Sequence, residues 1–188
     1  RCHVKLKLAL SGYHRRYLDD PSLSIGSLTL LPDRVIIAFR KGERRPYEPE
    51  TAISLDTNER SLDGVFVKGG VCTPSRALFP EVAEIQARHH DRRRRLQRKK
   101  SHDRRTAKRL CDREGRRERA RIQYRLHQVA NAVLDFAEEN RSAVVLEDLK
   151  GLSKPKRDRV LNRRLSLWPR RRLHQYIEYK AAWRGVPV

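Results

Sequence analysis

The sequence predicts an α/β protein in which a mixed β-sheet is combined with long basic helices and preceded by the end of a small β-rich domain. Three observations support this class. Short apolar runs with a two-residue period occupy much of the first 67 residues, and long stretches of high helix propensity follow. A continuous apolar run at residues 143–146 then separates two of the helical stretches.

Residues 1–50 are predicted to be the C-terminal part of the small β-domain. Residues 5–10 alternate apolar and polar side chains, and residues 24–40 predict two strands joined by a turn at residues 31–34. A polar stretch with two prolines, residues 41–50, predicts a linker. We therefore expect a boundary near residue 50 and a second domain over residues 51–188.

Residues 51–67 predict a β-hairpin that presents an acid at the end of its first strand. Ile53 and Leu55 alternate with smaller or polar side chains, which places Asp56 on the face opposite the larger apolar ones. Residues 57–60 are typical of a turn, and the strand pattern resumes after them. Residues 68–76 predict a loop or a short strand.

Two long helices are predicted next, over residues 77–100 and 104–140. The second has apolar residues at spacings of four, three, four and three, the pattern of a stripe that faces a core. These residues are Ile122, Leu126, Val129, Val133 and Phe136. Its opposite face is basic.

A second acid follows the apolar run at residues 143–146, which predicts a central strand covered on both faces. Glu147 and Asp148 end this run. A basic loop is expected after it, and then a third helix that begins near Ser166 and stops at Gly185. Trp168 and Trp183 flank that helix, either as core residues or as platforms for base stacking.

Positive charge dominates the composition, with 44 Lys and Arg against 23 Asp and Glu and a net charge of +21. Residues 88–125 and 150–172 carry the whole excess, which indicates contacts with nucleic-acid phosphates. The arginines predicted to make these contacts are Arg92, Arg93, Arg94, Arg95, Arg98, Arg117, Arg121, Arg163, Arg164, Arg170, Arg171 and Arg172.

Other classes of protein are disfavoured. No run approaches the ~18–20 apolar residues of a spanning helix, and no signal-peptide pattern opens the chain, so we expect a cytoplasmic protein without a membrane partner. The three cysteines form no CxxC pair. Adjacent His89 and His90 project about 100° apart on a helix, so we do not expect zinc among these residues.

The two acids at strand ends suggest a site for Mg²⁺, which prefers carboxylate and water oxygens. Two such ions can activate a water and neutralise the leaving oxygen during phosphodiester hydrolysis. Asp56 and Glu147 suit this role if their strands are neighbours in one sheet. Asp63 and Asp148 are weaker candidates, and an acid at a strand end can also simply cap a turn.

Three stretches carry a family resemblance. They are ISLDTNERSLDGVFV, AVVLEDLKGL and LNRRLSLWPRRRLHQYIEYKAAWRGVPV. Together they resemble the transposon-encoded TnpB (OrfB) proteins, which are relatives of the type V CRISPR effector nucleases and are often described as transposases. The Leu-Asp-x-Asn segment is similar to the first RuvC motif of that family, and Val-Leu-Glu-Asp-Leu to the second.

The resemblance implies an RNase H-like (RuvC) fold and an RNA-guided DNA endonuclease with two-metal chemistry. Asp56 and Glu147 would be two of its three Mg²⁺-binding carboxylates, and residues 1–50 the end of the wedge domain. DNA and a guide RNA would be the partners, with no small-molecule cofactor.

The departures from the family pattern matter as much. The third catalytic aspartate and the CxxC zinc ribbon of the family are not in these 188 residues, so we expect a fragment that binds nucleic acid and cuts it slowly or not at all. The alternatives are a truncated, inactive transposon remnant that only binds DNA or RNA and, with less support, a ribosomal or ribonucleoprotein component.

Overall fold

The computed structural model describes residues 5, 7–42, 44–98, 103–149, 162 and 167–188. The chain divides into two compact units, residues 1–44 and residues 45–188. The predicted α/β class, with a mixed sheet and long helices, is confirmed. Within the described ranges, no helix combines the length and apolar character that crossing a membrane requires.

The first unit contains a short helix and a β-hairpin. Helix α1 spans Gly12–Leu18, and strand β1 (Leu23–Leu31) pairs in antiparallel fashion with β2 (Arg34–Lys41). The predicted hairpin turn is therefore correct. The strand expected over residues 5–10 is wrong, because residues 7–10 have no regular structure. Alternation of apolar and polar residues shows which side chains of a strand would share a face. A strand also needs a neighbouring strand to pair with, and here β1 and β2 pair with each other.

The second unit is a four-stranded sheet with helices packed on one face. Its strands are β3 (Thr51–Thr57), β4 (Ser61–Lys68), β5 (Val71–Leu78) and β6 (Ser142–Leu146). Its long helices are α2 (Glu81–Arg98), α3 (Arg104–Glu139) and α4 (Arg170–Arg184). The strand order is β5-β4-β3-β6, with β3, β4 and β5 antiparallel and β6 parallel to β3.

The core lies between the sheet and helices α3 and α4. Ile53 and Leu55 of β3 are buried, whereas the alternate positions of that strand are more open, as predicted. Helix α3 contributes the predicted stripe, with Leu126 completely buried. Helix α4 contributes Leu173, Ile177 and Ala181 and ends at Gly185, whose left-handed φ of 74° suits a residue without a side chain.

The prediction that residues 143–146 form a central strand covered on both faces is wrong. Among the described strands, β6 pairs only with β3 and stands at the end of the strand order. Val145 is 52% exposed because it points to the sheet face opposite the helices. A short apolar run records hydrophobicity but not the number of neighbouring strands.

Three hydrogen bonds fix the parallel pairing of β3 with β6 at its start. The hydroxyl of Thr51 lies 2.5 Å from that of Ser142 and donates to the carbonyl of Asn140 at 2.8 Å. The amide of Glu50 donates to the carbonyl of Arg141 at 2.9 Å. These bonds, of which the Thr51–Ser142 contact is buried, set the register, and the register decides which side chains meet at the far end of the two strands.

Candidate metal centre and nucleic-acid surface

Asp56 and Glu147 come together at the ends of the two parallel strands. Leu55 pairs with Leu146, so the next step along each strand brings Asp56 level with Glu147. Side chains at matched positions of neighbouring strands project to the same face. Here that face is the one opposite helices α3 and α4, and the two carboxyl groups interact directly.

The environment of Glu147 raises the pKa of its carboxyl group. Partial burial is the main cause, and the nearby charge of Asp56 together with a hydrogen bond between the two carboxyls adds to it. The backbone N–H of Thr57, 3.0 Å from Oε1, and the charge of Arg170 act in the opposite direction. Two carboxyls in this state would be stabilised by a shared proton or by a cation.

Trp168, just before helix α4, and His174, in its second turn, hold the end of β3 in place. Nε1 of Trp168 donates to the carbonyl of Asn58 at 3.1 Å, and Nε2 of His174 lies 2.8 Å from the hydroxyl of Thr57. Burial lowers the pKa of His174, against a smaller opposing effect of Glu178. A neutral imidazole therefore supports the residue that follows Asp56.

Arg170 differs from its two neighbours in sequence. Arg171 and Arg172 are exposed, as expected for surface contacts, but Arg170 is only 6% exposed. Its guanidinium carbon lies 4.9 Å from the centre of the Trp168 ring. Within the described part of the chain, its Nη1 has no hydrogen-bond partner.

The two weaker acidic candidates do not complete a metal cluster. Asp63 is directly opposite Asp56 across the β3–β4 pair. Its carboxylate accepts hydrogen bonds from Ser61, Arg76 and Asn58. The bonds from Ser61 and Arg76 are the largest causes of its lowered pKa, and burial opposes them. Asp148 is exposed beyond the end of β6. The described residues contain no group of three His, Cys, Asp or Glu side chains able to hold a metal.

Part of the basic surface on helices α2 and α3 is tied up in pairs between those helices. Arg92 donates to Glu114 at 3.2 Å, and Arg93 pairs with Glu118. The fully buried His89 lies 2.8 Å from Glu114 through Nδ1. Burial opposes ionisation of Glu114, but Arg92 and His89 together lower its pKa.

Other predicted contact residues remain open to solvent. They are Arg94, Arg95, Arg98, Arg117, Arg121, Arg171 and Arg172. Arg163 and Arg164 lie outside the described residues. A groove of about 540 Å³ between α2 and α3 is lined by three basic residues, Arg88, Arg121 and Arg125, and by the exposed ring of Tyr124. Glu81 and Glu84 lie at the same groove, so its charge is mixed.

Sequence reasoning missed the residues that support the site from α4. Arg170 and His174 are four residues apart and therefore on one helix face, a signal that was present in the sequence. Their burial could not be inferred, because neither residue type is commonly buried. The role of Trp168 was left open, and its hydrogen bond to Asn58 now makes it a structural contact; Trp183 is 42% exposed.

Comparison with known proteins gives one informative result. No family model matches the chain. A curated TnpB-like protein of Methanocaldococcus jannaschii is 26% identical over 195 aligned positions, which cover the whole of this chain and 70% of that protein.

Proposed function

We propose that this chain, a TnpB-like protein as its motifs predicted, is the nucleic-acid-binding and metal-binding segment of an endonuclease from this transposon-associated family. In this proposal Asp56 and Glu147 hold Mg²⁺, and the substrate is the phosphodiester backbone of DNA. A guide RNA is the second partner, bound with the DNA mainly through backbone phosphates.

The observation that supports the metal site is the contact between the two carboxyls at the ends of β3 and β6. Oxygen ligands fixed on neighbouring strands suit Mg²⁺. The pKa of Glu147 is raised mainly by partial burial and further by the charge of Asp56, and a bound cation would favour the ionised form of both carboxyls. When bound, Mg²⁺ would polarise the phosphate and generate the attacking hydroxide. Asp56 and Glu147 would orient the ion, while the Thr57 amide keeps Glu147 in place.

The same site supports a narrower expectation for residues 1–188. The described residues supply two carboxylates and no group of three metal-ligating side chains, whereas the family pattern uses a third acid. Two ligands hold one ion weakly and a pair of ions poorly. We therefore propose that residues 1–188 bind nucleic acid and cleave it slowly or not at all, which also describes the alternative of a binding-only remnant.

The exposed arginines support nucleic acid as the partner. Each phosphate contact with duplex DNA releases counterions, so affinity should fall steeply with salt. The exposed arginines on α2, α3 and α4 supply such charges. Arg94, Arg95, Arg171 and Arg172 are the contacts that we propose first, because they are exposed.

The experiment combines binding and cleavage. Purified residues 1–188 and longer versions that include the family's third acid would be incubated with labelled DNA and Mg²⁺, alongside Asp56→Ala and Glu147→Ala. Both variants should abolish cleavage in the longer protein and leave DNA affinity within about twofold. Normal cutting by both variants would show that the site assignment is wrong, and clear Mg²⁺-dependent nicking by residues 1–188 would overturn the narrower expectation.

A further inference from the structure

Arg170 is a buried cation with an unused hydrogen-bond donor. It is 6% exposed, and its Nη1 has no partner among the described residues. Buried polar groups nearly always have a partner, and leaving a charged donor without one is costly. An arginine kept in this state therefore needs an explanation that its own contacts do not supply.

The position of the guanidinium is set by contacts that converge on the end of β3. Trp168 lies under it at 4.9 Å and is itself anchored to the carbonyl of Asn58. His174, one turn later on the same face of α4, contacts the hydroxyl of Thr57. These two contacts reach Thr57 and Asn58, the residues that follow Asp56, so Arg170 lies near the end of β3 that carries this acid.

Electrostatics agree with this placement. The charge of Arg170 acts on Glu147, which means that the two groups are within electrostatic range, yet Nη1 makes no hydrogen bond to either carboxylate. One donor of a planar fork is therefore left unpaired and buried, within electrostatic range of Glu147. Phosphate oxygens are the anions that such a fork recognises best.

We propose that Nη1 of Arg170 binds a nonbridging phosphate oxygen of the nucleic-acid strand placed at Asp56 and Glu147. This inference rests on the proposed function for the identity of the ligand, a phosphodiester, but not on cleavage. Arg170 supplies positive charge on the phosphate side of the site, where the two carboxylates alone would repel the strand. Its task differs from that of Arg171 and Arg172, which are exposed.

Trp168 provides a reporter for the experiment. The chain has two tryptophans, so a Trp183→Phe background leaves only the ring that contacts Arg170. In this background the dinucleotide thymidylyl-thymidine would be titrated with Mg²⁺ present, and the emission of Trp168 recorded. We expect a saturable change, weakened at least about tenfold by Arg170→Gln, the loss that corresponds to a charged hydrogen bond of about 1.5 kcal/mol.

Controls separate contact from folding. Arg16→Gln makes the same charge change at an exposed arginine of helix α1, which is not among the proposed contact residues, and should leave dinucleotide affinity unchanged. Arg170→Lys keeps the charge and much of the apolar stem, so it tests the donor even if Arg170→Gln does not fold. We expect its affinity to fall between those of the wild type and Arg170→Gln.

Two results would overturn the inference: no emission change in the Trp183→Phe protein, or wild-type affinity in a folded Arg170 variant. The outcome is separable from that of the proposed function. Dinucleotide binding that depends on Arg170, in a protein that never cleaves even with its third acid, would contradict the nuclease alone. Full cleavage with Arg170→Gln would contradict the phosphate contact alone.

Discussion

The backbone amide of Thr57 donates a hydrogen bond of 3.0 Å to Oε1 of Glu147 across the parallel pair of strands β3 and β6. The residue before Thr57 is Asp56, whose carboxyl interacts with the same glutamate. One step along β3 thus supplies both a donor that fixes Glu147 and a charge that repels it. The net result is a carboxyl that is well positioned but costly to ionise.

Glu147→Gln should stabilise the metal-free protein at neutral pH. Because the pKa of Glu147 is raised, the folded state holds its proton more tightly than the unfolded chain, and stability falls as pH rises above about 4.5. Glutamine removes the charge and keeps an oxygen for the Thr57 amide. We expect Tm at pH 7 to rise by about 2–4 °C, equivalent to about 1 kcal/mol for this chain length.

Thermal unfolding in EDTA measures this effect, with Glu139→Gln at an exposed site as the control. The gain should disappear below about pH 4.5, where Glu147 is protonated in both states. An unchanged or lower Tm at pH 7 would mean that Glu147 carries no electrostatic cost.

Gly64→Ala should disrupt the hairpin that presents Asp56. A methyl group at Gly64 would overlap the carbonyl oxygen of Ser54 on the neighbouring strand, and backbone atoms cannot move aside cheaply. We expect a loss of about 1–3 kcal/mol or more in the free energy of unfolding. Gly115→Ala is the matched control, because its methyl group meets only a flexible arginine tip in helix α3 and should add about 0.5–1 kcal/mol.

Urea denaturation of the two alanine variants gives the comparison directly. Equal stabilities for Gly64→Ala and the wild type would show that β3 and β4 can separate at this position without loss.

The sequence predicted those parts of the site that depend on local periodicity. Alternation in residues 51–56 placed Asp56 on the open face, and the four-three spacing in α3 identified the buried stripe. The sequence predicted that Asp56 and Glu147 would meet only if their strands were neighbours in one sheet. Nothing in the 91 residues from one acid to the other indicates that these strands pair in parallel. The register became visible only with the Thr51–Ser142 contact at the other end of the strands.

The remaining features depend on contacts between distant segments. Arg92 and Arg93 looked like free charges because α2 alone gives no sign of Glu114 and Glu118 on the facing helix. Arg170 looked like part of an exposed cluster because burial of an arginine is rare. In both cases the residue type indicated the charge of the side chain, but not whether that side of the helix would pack against another element or face solvent.

His174→Gln should reduce the loss of stability at mildly acidic pH. Burial lowers the pKa of His174, so between that value and 6.5 the unfolded chain binds more protons and stability falls as pH decreases. Glutamine keeps a polar partner for Thr57 but does not titrate. We expect the slope of unfolding free energy between pH 7 and 5 to decrease, by at most about 1.4 kcal/mol per pH unit.

Burial and Lys180 also lower the pKa of His127, so His127→Gln and the double variant belong in the same series. The double variant should show a smaller slope of unfolding free energy against pH than either single variant. A His174→Gln protein with the wild-type slope would show that this histidine is accessible to protons when folded.

Glu114→Ala should weaken the packing of α2 on α3. The change leaves His89, which is completely buried, without its carboxylate at 2.8 Å. We expect a loss of about 1–3 kcal/mol, the range for a buried polar group left without a partner. Replacing both partners, as His89→Leu with Glu114→Leu, should recover much of that loss because neither polar group is then buried.

Chemical denaturation of the wild type, His89→Leu, Glu114→Leu and the His89→Leu/Glu114→Leu double variant forms a closed thermodynamic cycle. If the double variant were as unstable as the sum of its single changes, the His89–Glu114 contact would have no coupling energy and α2 would be held by other contacts.

Neutralising the exposed pair Arg94 and Arg95 should flatten the salt dependence of DNA binding more than neutralising the paired Arg92 and Arg93. An arginine that contacts phosphate contributes about −0.9 to the slope of log affinity against log salt. Arg92 and Arg93 already face Glu114 and Glu118, so they have less charge to offer a phosphate. We expect Arg94→Gln with Arg95→Gln to reduce the magnitude of the slope by up to about 1.8, and the matched double change at Arg92 and Arg93 to reduce it by clearly less.

Fluorescence anisotropy with labelled duplex between about 50 and 200 mM salt measures both slopes. Equal reductions would mean that the interhelical pairs open on binding, whereas an unchanged slope for Arg94 and Arg95 would remove them from the contact surface.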